Sequence, residues 1–175
     1  MDLRLAVGVL GGFLIVAGAA WPIVKVSHPV KSVKNWLYFV GGVLLLWYAW
    51  LGYLAGGPVF YVFFEIFLNI VGVLMLAGLE KKKWGSWLVG LCGAVFLIWS
   101  LLLFEDYTTG VFVVGLTVVG VAYVLKGGTA LRNFTLAVGA LLIALFSYFV
   151  GDAVFLWLNL LTAGFAGWHG WRLRN

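Results

Sequence analysis

An all-α, polytopic integral membrane fold is predicted by three features: a strongly apolar composition, seven apolar runs of near-bilayer length, and basic residues confined to alternate gaps between them. Of 175 residues, 65% are hydrophobic and 10% charged, and the mean hydropathy is +1.13. That is far more apolar than a water-soluble domain. No polar segment exceeds a loop, so residues 1–175 are expected to form a single transmembrane domain.

A hydrocarbon core about 30 Å thick needs roughly 20 apolar residues in a helix. The first run, about 5–24, follows Arg4 and ends near Gly18-Ala19-Ala20, a pattern shared with cleavable leaders; it is expected to be retained as a span. Lys25, His28, Lys31 and Lys34 follow it. The second run, about 36–55, carries Tyr48, Trp50 and Tyr53 towards its end and stops at Gly56-Gly57-Pro58. The third, about 58–79, holds Glu65 and Asn69 and is followed by Lys81, Lys82 and Lys83. The fourth, about 85–104, contains the lone Cys92, which permits no internal disulfide, and Ser100; Glu105-Asp106 closes it. The fifth, about 109–126, carries Thr117 and leads to Lys126 and Arg132. The sixth, about 133–150, carries Ser147 and ends at Gly151-Asp152, and the seventh, about 153–171, carries Asn159 and ends at Arg172 and Arg174.

All eleven Lys and Arg except Arg4 therefore fall in every second gap. Basic loops stay cytoplasmic, which predicts an outside N-terminus and a cytoplasmic C-terminus in the cell (cytoplasmic or inner) membrane. The pI near 9.5 is thus accounted for by membrane anchoring, not by nucleic acid. Trp36, Trp84, Trp87, Trp168 and Trp171 lie near the predicted inner ends, where an interfacial belt belongs. Gly8, Gly11, Gly12, Gly115, Gly120, Gly164 and Gly167 are expected to let helices approach closely.

Glu65 is the one acidic or basic side chain well inside a run. Centring such a group in a lipid-facing helix costs about 2.5–3.5 kcal/mol on insertion scales, so it must face protein, water or a partner. Asn69 lies one turn on, along the same face. Counting about 1.5 Å per residue from the outer boundaries puts Glu65, Thr117 and Asn159 roughly 10–12 Å deep, with Ser100 and Ser147 at about 6–8 Å and Asn69 near the midplane. This predicts an outward-facing polar cavity lined by Glu65 and Asn159, floored by Asn69 and walled by aromatics that include Tyr48 and Trp50. Simpler readings stand beside it. Ser and Thr in membrane helices commonly bond to their own backbone carbonyls, and the two Asn can act as glue between helices; Glu65 can serve as a subunit contact.

Chemistry for an enzyme is missing from the pattern. His28 and His169 have no Cys or carboxylate at ligand spacing, no glycine-rich phosphate loop follows a strand, and no Ser-His-Asp set stands out. No catalytic residue, metal or cofactor is expected. An opsin is excluded because the seventh run has no Lys for a Schiff base.

Lys34-Asn35-Trp36 with Val40-Gly41 matches Arg132-Asn133-Phe134 with Val138-Gly139 at one offset. Tyr53, Gly56, Val59, Phe60 and Gly72 match Tyr148, Gly151, Val154, Phe155 and Gly167 at another, three residues shorter. Two readings remain open: a three-one-three arrangement of parallel three-helix repeats, as transporters use, or the easy self-similarity of glycine-rich apolar sequence.

With seven runs, an outside N-terminus, a three-one-three pattern and an Asn in the third and seventh runs (Asn69 and Asn159), the chain resembles the PQ-loop and SWEET-like superfamily, including the nicotinamide riboside transporters and YgjV-type inner-membrane proteins. That resemblance implies passage of a small neutral solute between two bundles; the chain departs from the pattern in lacking a Pro-Gln pair and in placing its two Asn at unequal depths. Lys25-Val26, Pro29, Lys31, Ser32, Asn35 and Phe39-Val40-Gly41-Gly42 resemble the first hairpin of the urea and amide channel family, although that family has six helices and a Trp-rich constriction, and the fifth run here has no Trp. The expected function is a transporter or channel for a small solute in the lipid bilayer. The alternative is a non-catalytic integral subunit of a larger membrane complex, with other subunits or further copies of the chain as partners.

Overall fold

A computed structural model of the chain describes residues 2–21, 26–79 and 82–174. Lys25 and Lys81 of the basic gaps, and residues 22–24 at the end of the first run, lie outside them. The described residues form seven α-helices and no strand: α1 (Leu3–Ala20), α2 (Val33–Leu54), α3 (Phe60–Leu76), α4 (Lys83–Leu102), α5 (Tyr107–Val124), α6 (Ala130–Phe149) and α7 (Ala153–Arg172). Each predicted run has its helix. Five of them, α1, α2, α4, α5 and α6, are long and apolar enough to cross a membrane. α3 has 17 residues, a length of about 25 Å. α7 has the length, but Asn159, Thr162, His169 and three tryptophans dilute its apolar content. Large apolar side chains stand out from the surface, Trp87 at 73% exposure and Leu102 at 78% among them, as a surface facing hydrocarbon requires.

Three aspartates at helix starts have a local structural role. Asp2, Asp106 and Asp152 are the N-caps of α1, α5 and α7, their carboxylates accepting from the backbone N–H groups of Arg4, Thr109 and Phe155. Ser32 and Thr129 cap α2 and α6 in the same way. Side-chain oxygens at these positions satisfy N–H groups that the helix itself leaves open, and a negative charge suits the helix N-terminus. α3 has no side-chain cap, and Pro58, just before its N-cap Val59, has no backbone N–H to pair.

Asp106 makes the most of its position. It accepts from the Thr108 hydroxyl (2.6 Å), the Thr109 N–H (2.9 Å) and the Thr109 hydroxyl (3.1 Å), and these bonds, the Thr108 hydroxyl first, hold its carboxyl below the usual carboxylate range. A depressed folded-state pKa contributes stability that is present above the unfolded value, about 3.9, and lost as pH falls through the folded one. Asp106→Asn keeps a capping oxygen but does not titrate. The difference in melting temperature between wild type and this variant is therefore expected to shrink as pH is lowered below about 4; a difference independent of pH from 6 to the acid limit would count against the capping account.

The helices cluster into two compact units, Met1–Gly85 and Ser86–Asn175. In the first, α2 packs against both α1 and α3, and the short 3₁₀ turn Pro29–Lys31 contacts α2 and α3. That turn is tied to the start of α2 by Asn35 Nδ2, which donates to the Pro29 carbonyl (3.2 Å), and by the Trp36 indole, which donates to the Val30 carbonyl (2.8 Å). In the second unit α6 occupies the middle place, against α5 and α7.

The first two helices of each unit cross in the same way. A Cβ on Gly41 would lie 2.9 Å from the Gly11 carbonyl oxygen and 3.0 Å from Ile15 Cγ1; one on Gly139 would lie 3.2 Å from the Gly115 oxygen and 2.7 Å from Val119 Cγ2. From the other side, Gly11 faces Leu44 and Leu45 of α2, while Gly115 faces Leu142 and Ile143 of α6. One constant offset relates Gly11 and Ile15 to Gly115 and Val119. A second relates Gly41, Leu44 and Leu45 to Gly139, Leu142 and Ile143, and it is the offset already carried by the Asn35 and Asn133 motifs. One turn on, the Tyr48 ring against Gly8 corresponds to Phe146 against Phe112, whose ring centroids are 5.1 Å apart. The turns after α2 and α6 agree as well, each using a glycine in the left-handed region, Gly56 (φ 88°) and Gly151 (φ 73°), just past the helix end. Equivalent residues thus build equivalent contacts in both units.

Small residues meet neighbours only where helix phase points them inward. Gly8, Gly11 and Gly115 do so as expected, but nothing lies within 4 Å of a Cβ on Gly12, Gly164 or Gly167. These three correct the packing role predicted for them. On α7 the buried small residues are Ala163, Ala166 and Gly170, and a Cβ on Gly170 would meet Asn133 and Phe134 of α6 at 3.3 Å. Each residue turns the helix by about 100°, so a shift of one position moves a glycine off the seam.

Candidate functional site

α3 is the most completely buried helix of the first unit: Phe60, Tyr61, Val62, Phe63, Phe64, Glu65 and Phe67 are all enclosed. Glu65 is 0% exposed, and neither carboxylate oxygen has a hydrogen-bond partner. An unpaired buried charge is among the most costly features a protein can hold. One turn on, Asn69 Nδ2 donates to the Glu65 backbone carbonyl (2.8 Å), which leaves Asn69 Oδ1 buried and unpartnered. Gly42 of α2 makes room for this amide: a Cβ there would stand 3.2 Å from Oδ1 and 3.3 Å from Nδ2. Glu65 and Asn69 therefore share one face of α3, with three acceptor oxygens open.

The other predicted site residues have local roles. Tyr48 is buried in the seam between α1 and α2, its ring beside Gly8 and 4.9 Å beneath the Arg4 guanidinium. Trp50 lies off the buried face of α2, half exposed, and its ring rests against Tyr53 at 6.0 Å. In the second unit, the Thr117 hydroxyl donates to the Val113 carbonyl (2.7 Å) and Asn159 Nδ2 donates to the Phe155 carbonyl (2.8 Å). Asn159 is buried, as is Ser147, which bonds back to Ile143 (2.8 Å). Ser100 differs from these: it is fully buried and its hydroxyl has no partner.

Thr117, Ser147, Asn69 and Asn159 thus all donate to the carbonyl four residues back, the ordinary resting place of short polar groups in apolar helices. Among the described residues, Glu65 is the buried carboxyl with neither oxygen partnered. Its counterpart by the α3–α7 offset is Leu160, an apolar residue 37% exposed. Departures from local consistency mark functional positions in otherwise regular folds.

Arg4 was the exception to the charge pattern, and sequence reading gave it no role. Antiparallel packing of α1 on α2 brings it to Tyr48 and to Gly52, where a Cβ would approach the guanidinium nitrogen Nη2 to 2.8 Å. Gly52, Gly8 and Gly42 are the residues of this region that sequence reasoning missed or left without a partner. Their signal is only the absence of a side chain opposite a large one, which a single chain does not reveal. No metal-binding group of three or more His, Cys, Asp or Glu occurs among the described residues. Comparison with protein families, characterised proteins and solved structures finds no match to this chain.

Proposed function

We propose that the protein is a transporter or channel for a small solute, with Glu65 as the group that contacts it. The single observation carrying this reading is the fully buried Glu65 carboxyl with both oxygens unpartnered. A purely structural carboxyl would be expected to have acquired a partner, since intramembrane ionisable residues are costly and mark solute or ion paths. In this reading α1 to α7 all span the membrane, the N-terminus outside and the C-terminus cytoplasmic, as two parallel three-helix repeats joined by α4. In the same reading an outward-facing polar cavity, which must open because Glu65 is 0% exposed, gives the solute access to Glu65 and Asn69. The equivalent helix crossings of the two units support the repeat, and the alternating basic gaps support the orientation in a cell inner membrane.

Reconstituted into proteoliposomes and offered a panel of small solutes, the wild-type protein is expected to show saturable uptake. Glu65→Gln should lose it, by about a factor of thirty or more for a buried charged contact, while keeping its helical spectrum and monodisperse elution. Absence of flux together with stoichiometric co-purification of native partners would favour an integral subunit of a larger membrane assembly instead.

A further inference from the structure

We propose that the Glu65–Asn69 face of α3 binds a small organic cation, specifically a protonated primary amine. The inference deepens the transport reading and rests on Glu65 as the solute-contacting group. Its starting point is an inventory of what is open at the site. Glu65 contributes two unpartnered oxygens and Asn69 one, Asn69 Nδ2 gives one of its two N–H groups to the Glu65 backbone carbonyl, and the buried Tyr61 hydroxyl lies one turn before on the same face. With Glu65 ionised, three acceptor oxygens stand open here, so a ligand that satisfies this face brings mainly donors.

Charge narrows the class. A single buried carboxylate without a protein counter-ion is best compensated by one positive charge, and a neutral polyol or amide supplies donors without it. Spacing narrows it further. Residues four apart on a helix are separated by about 6 Å along the axis. An ammonium nitrogen between two such side chains can donate to both at an ordinary 2.7–3.0 Å, with its three N–H groups pointing to different acceptors.

Metal ions fit less well. Calcium takes six to eight oxygens and magnesium a near-ideal octahedron, whereas this face offers three free oxygens and the described residues contain no cluster of further ligands. What surrounds Glu65 along α3 is aromatic instead: Tyr61 lies one turn before it on the same face, and Phe60, Phe63, Phe64 and Phe67 are all buried. Aromatic and aliphatic walls suit the carbon skeleton of an amine, and ring faces attract the cation itself. On the α2 side, Gly42 holds the Asn69 amide in place without adding a competing polar group.

The test uses the full chain in lipid nanodiscs and radiolabelled ethylammonium as the probe. Saturable binding is expected, weakened about thirtyfold or more by Glu65→Gln and about three- to tenfold by Asn69→Ala. Neither sodium nor 1-propanol, a neutral molecule of similar size, should displace the probe at comparable concentration. Absence of saturable binding, equal binding by a folded Glu65→Gln protein, or displacement by sodium would each overturn the proposal. Should Glu65→Gln fail to fold, the Asn69→Ala and sodium measurements decide it alone. Glu65-dependent uptake of a neutral solute with no ethylammonium binding would remove this inference and leave the transport reading standing. Glu65-dependent ethylammonium binding without flux of any solute would uphold the cation site and remove transport.

Discussion

Leucine at Gly41 or Gly139 is expected to destabilise the protein by about 3 kcal/mol, the upper range for overpacking a tight interior. At both positions a side chain would be driven into the backbone of the facing helix: a Cβ on Gly41 lies 2.9 Å from the Gly11 carbonyl oxygen, and one on Gly139 lies 2.9 Å from the Val119 nitrogen. Backbone cannot rotate out of the way as a flexible side chain can, so the helices must separate and lose the contacts between Leu45 and Gly11, or Ile143 and Gly115. Because the two crossings use equivalent residues, the two substitutions should cost about the same. Gly12→Leu and Gly164→Leu are the controls, with nothing within 4 Å of the added carbon; they should change stability by no more than about 0.5 kcal/mol. Denaturant unfolding in mixed micelles, followed by circular dichroism, measures all four. Equal costs for Gly12→Leu and Gly41→Leu would show that the crossing is not built as described.

Replacing Glu65 by leucine is expected to act in the opposite direction on stability, raising it by about 2 kcal/mol or more, while abolishing solute uptake. The substitution removes a buried carboxyl with no partner and installs the residue that the second unit carries at the matching position, Leu160. Insertion scales value removal of such a group from a helix centre at about 2.5–3.5 kcal/mol. A gain in stability at the expense of activity is the pattern of a residue kept for function. The measurement is again unfolding in micelles, paired with flux in proteoliposomes. Marked destabilisation by Glu65→Leu would mean that the carboxyl holds the fold together, and the site would have to be sought elsewhere.

Much of the fold was legible from the chain because its helices are apolar over their whole circumference. Hydrophobic runs mark them, whereas the capping of their starts by Asp106, Thr129 and Asp152 is read from the structure. The internal repeat was only half legible. Matches around Asn35 and Asn133 pointed to α2 and α6, but α1 and α5 share only Val7/Val111 and Val9/Val113 besides the crossing glycines, and their equivalence emerges from what Gly11 and Gly115 touch. Glycine roles were the least legible: Gly164 and Gly170 look alike in sequence, yet only Gly170 faces α6. In a helix that is apolar all round, no polar stripe reports which face is inside.

The sequence by itself determined the number and order of the helices, the alternation of charge between their ends, and the presence of one carboxyl, Glu65, in the middle of an apolar run. These follow from local composition and from the cost of placing charge in hydrocarbon. Tertiary structure decided the rest. It gave Arg4 a ring to rest on, occupied Asn69 and Asn159 with their own backbones, and enclosed Glu65 without a partner. The physical reason is that hydrogen bonds and close packing depend on which side chains face one another across a seam, and that facing is a property of helix phase and neighbours, which residue identity alone does not carry.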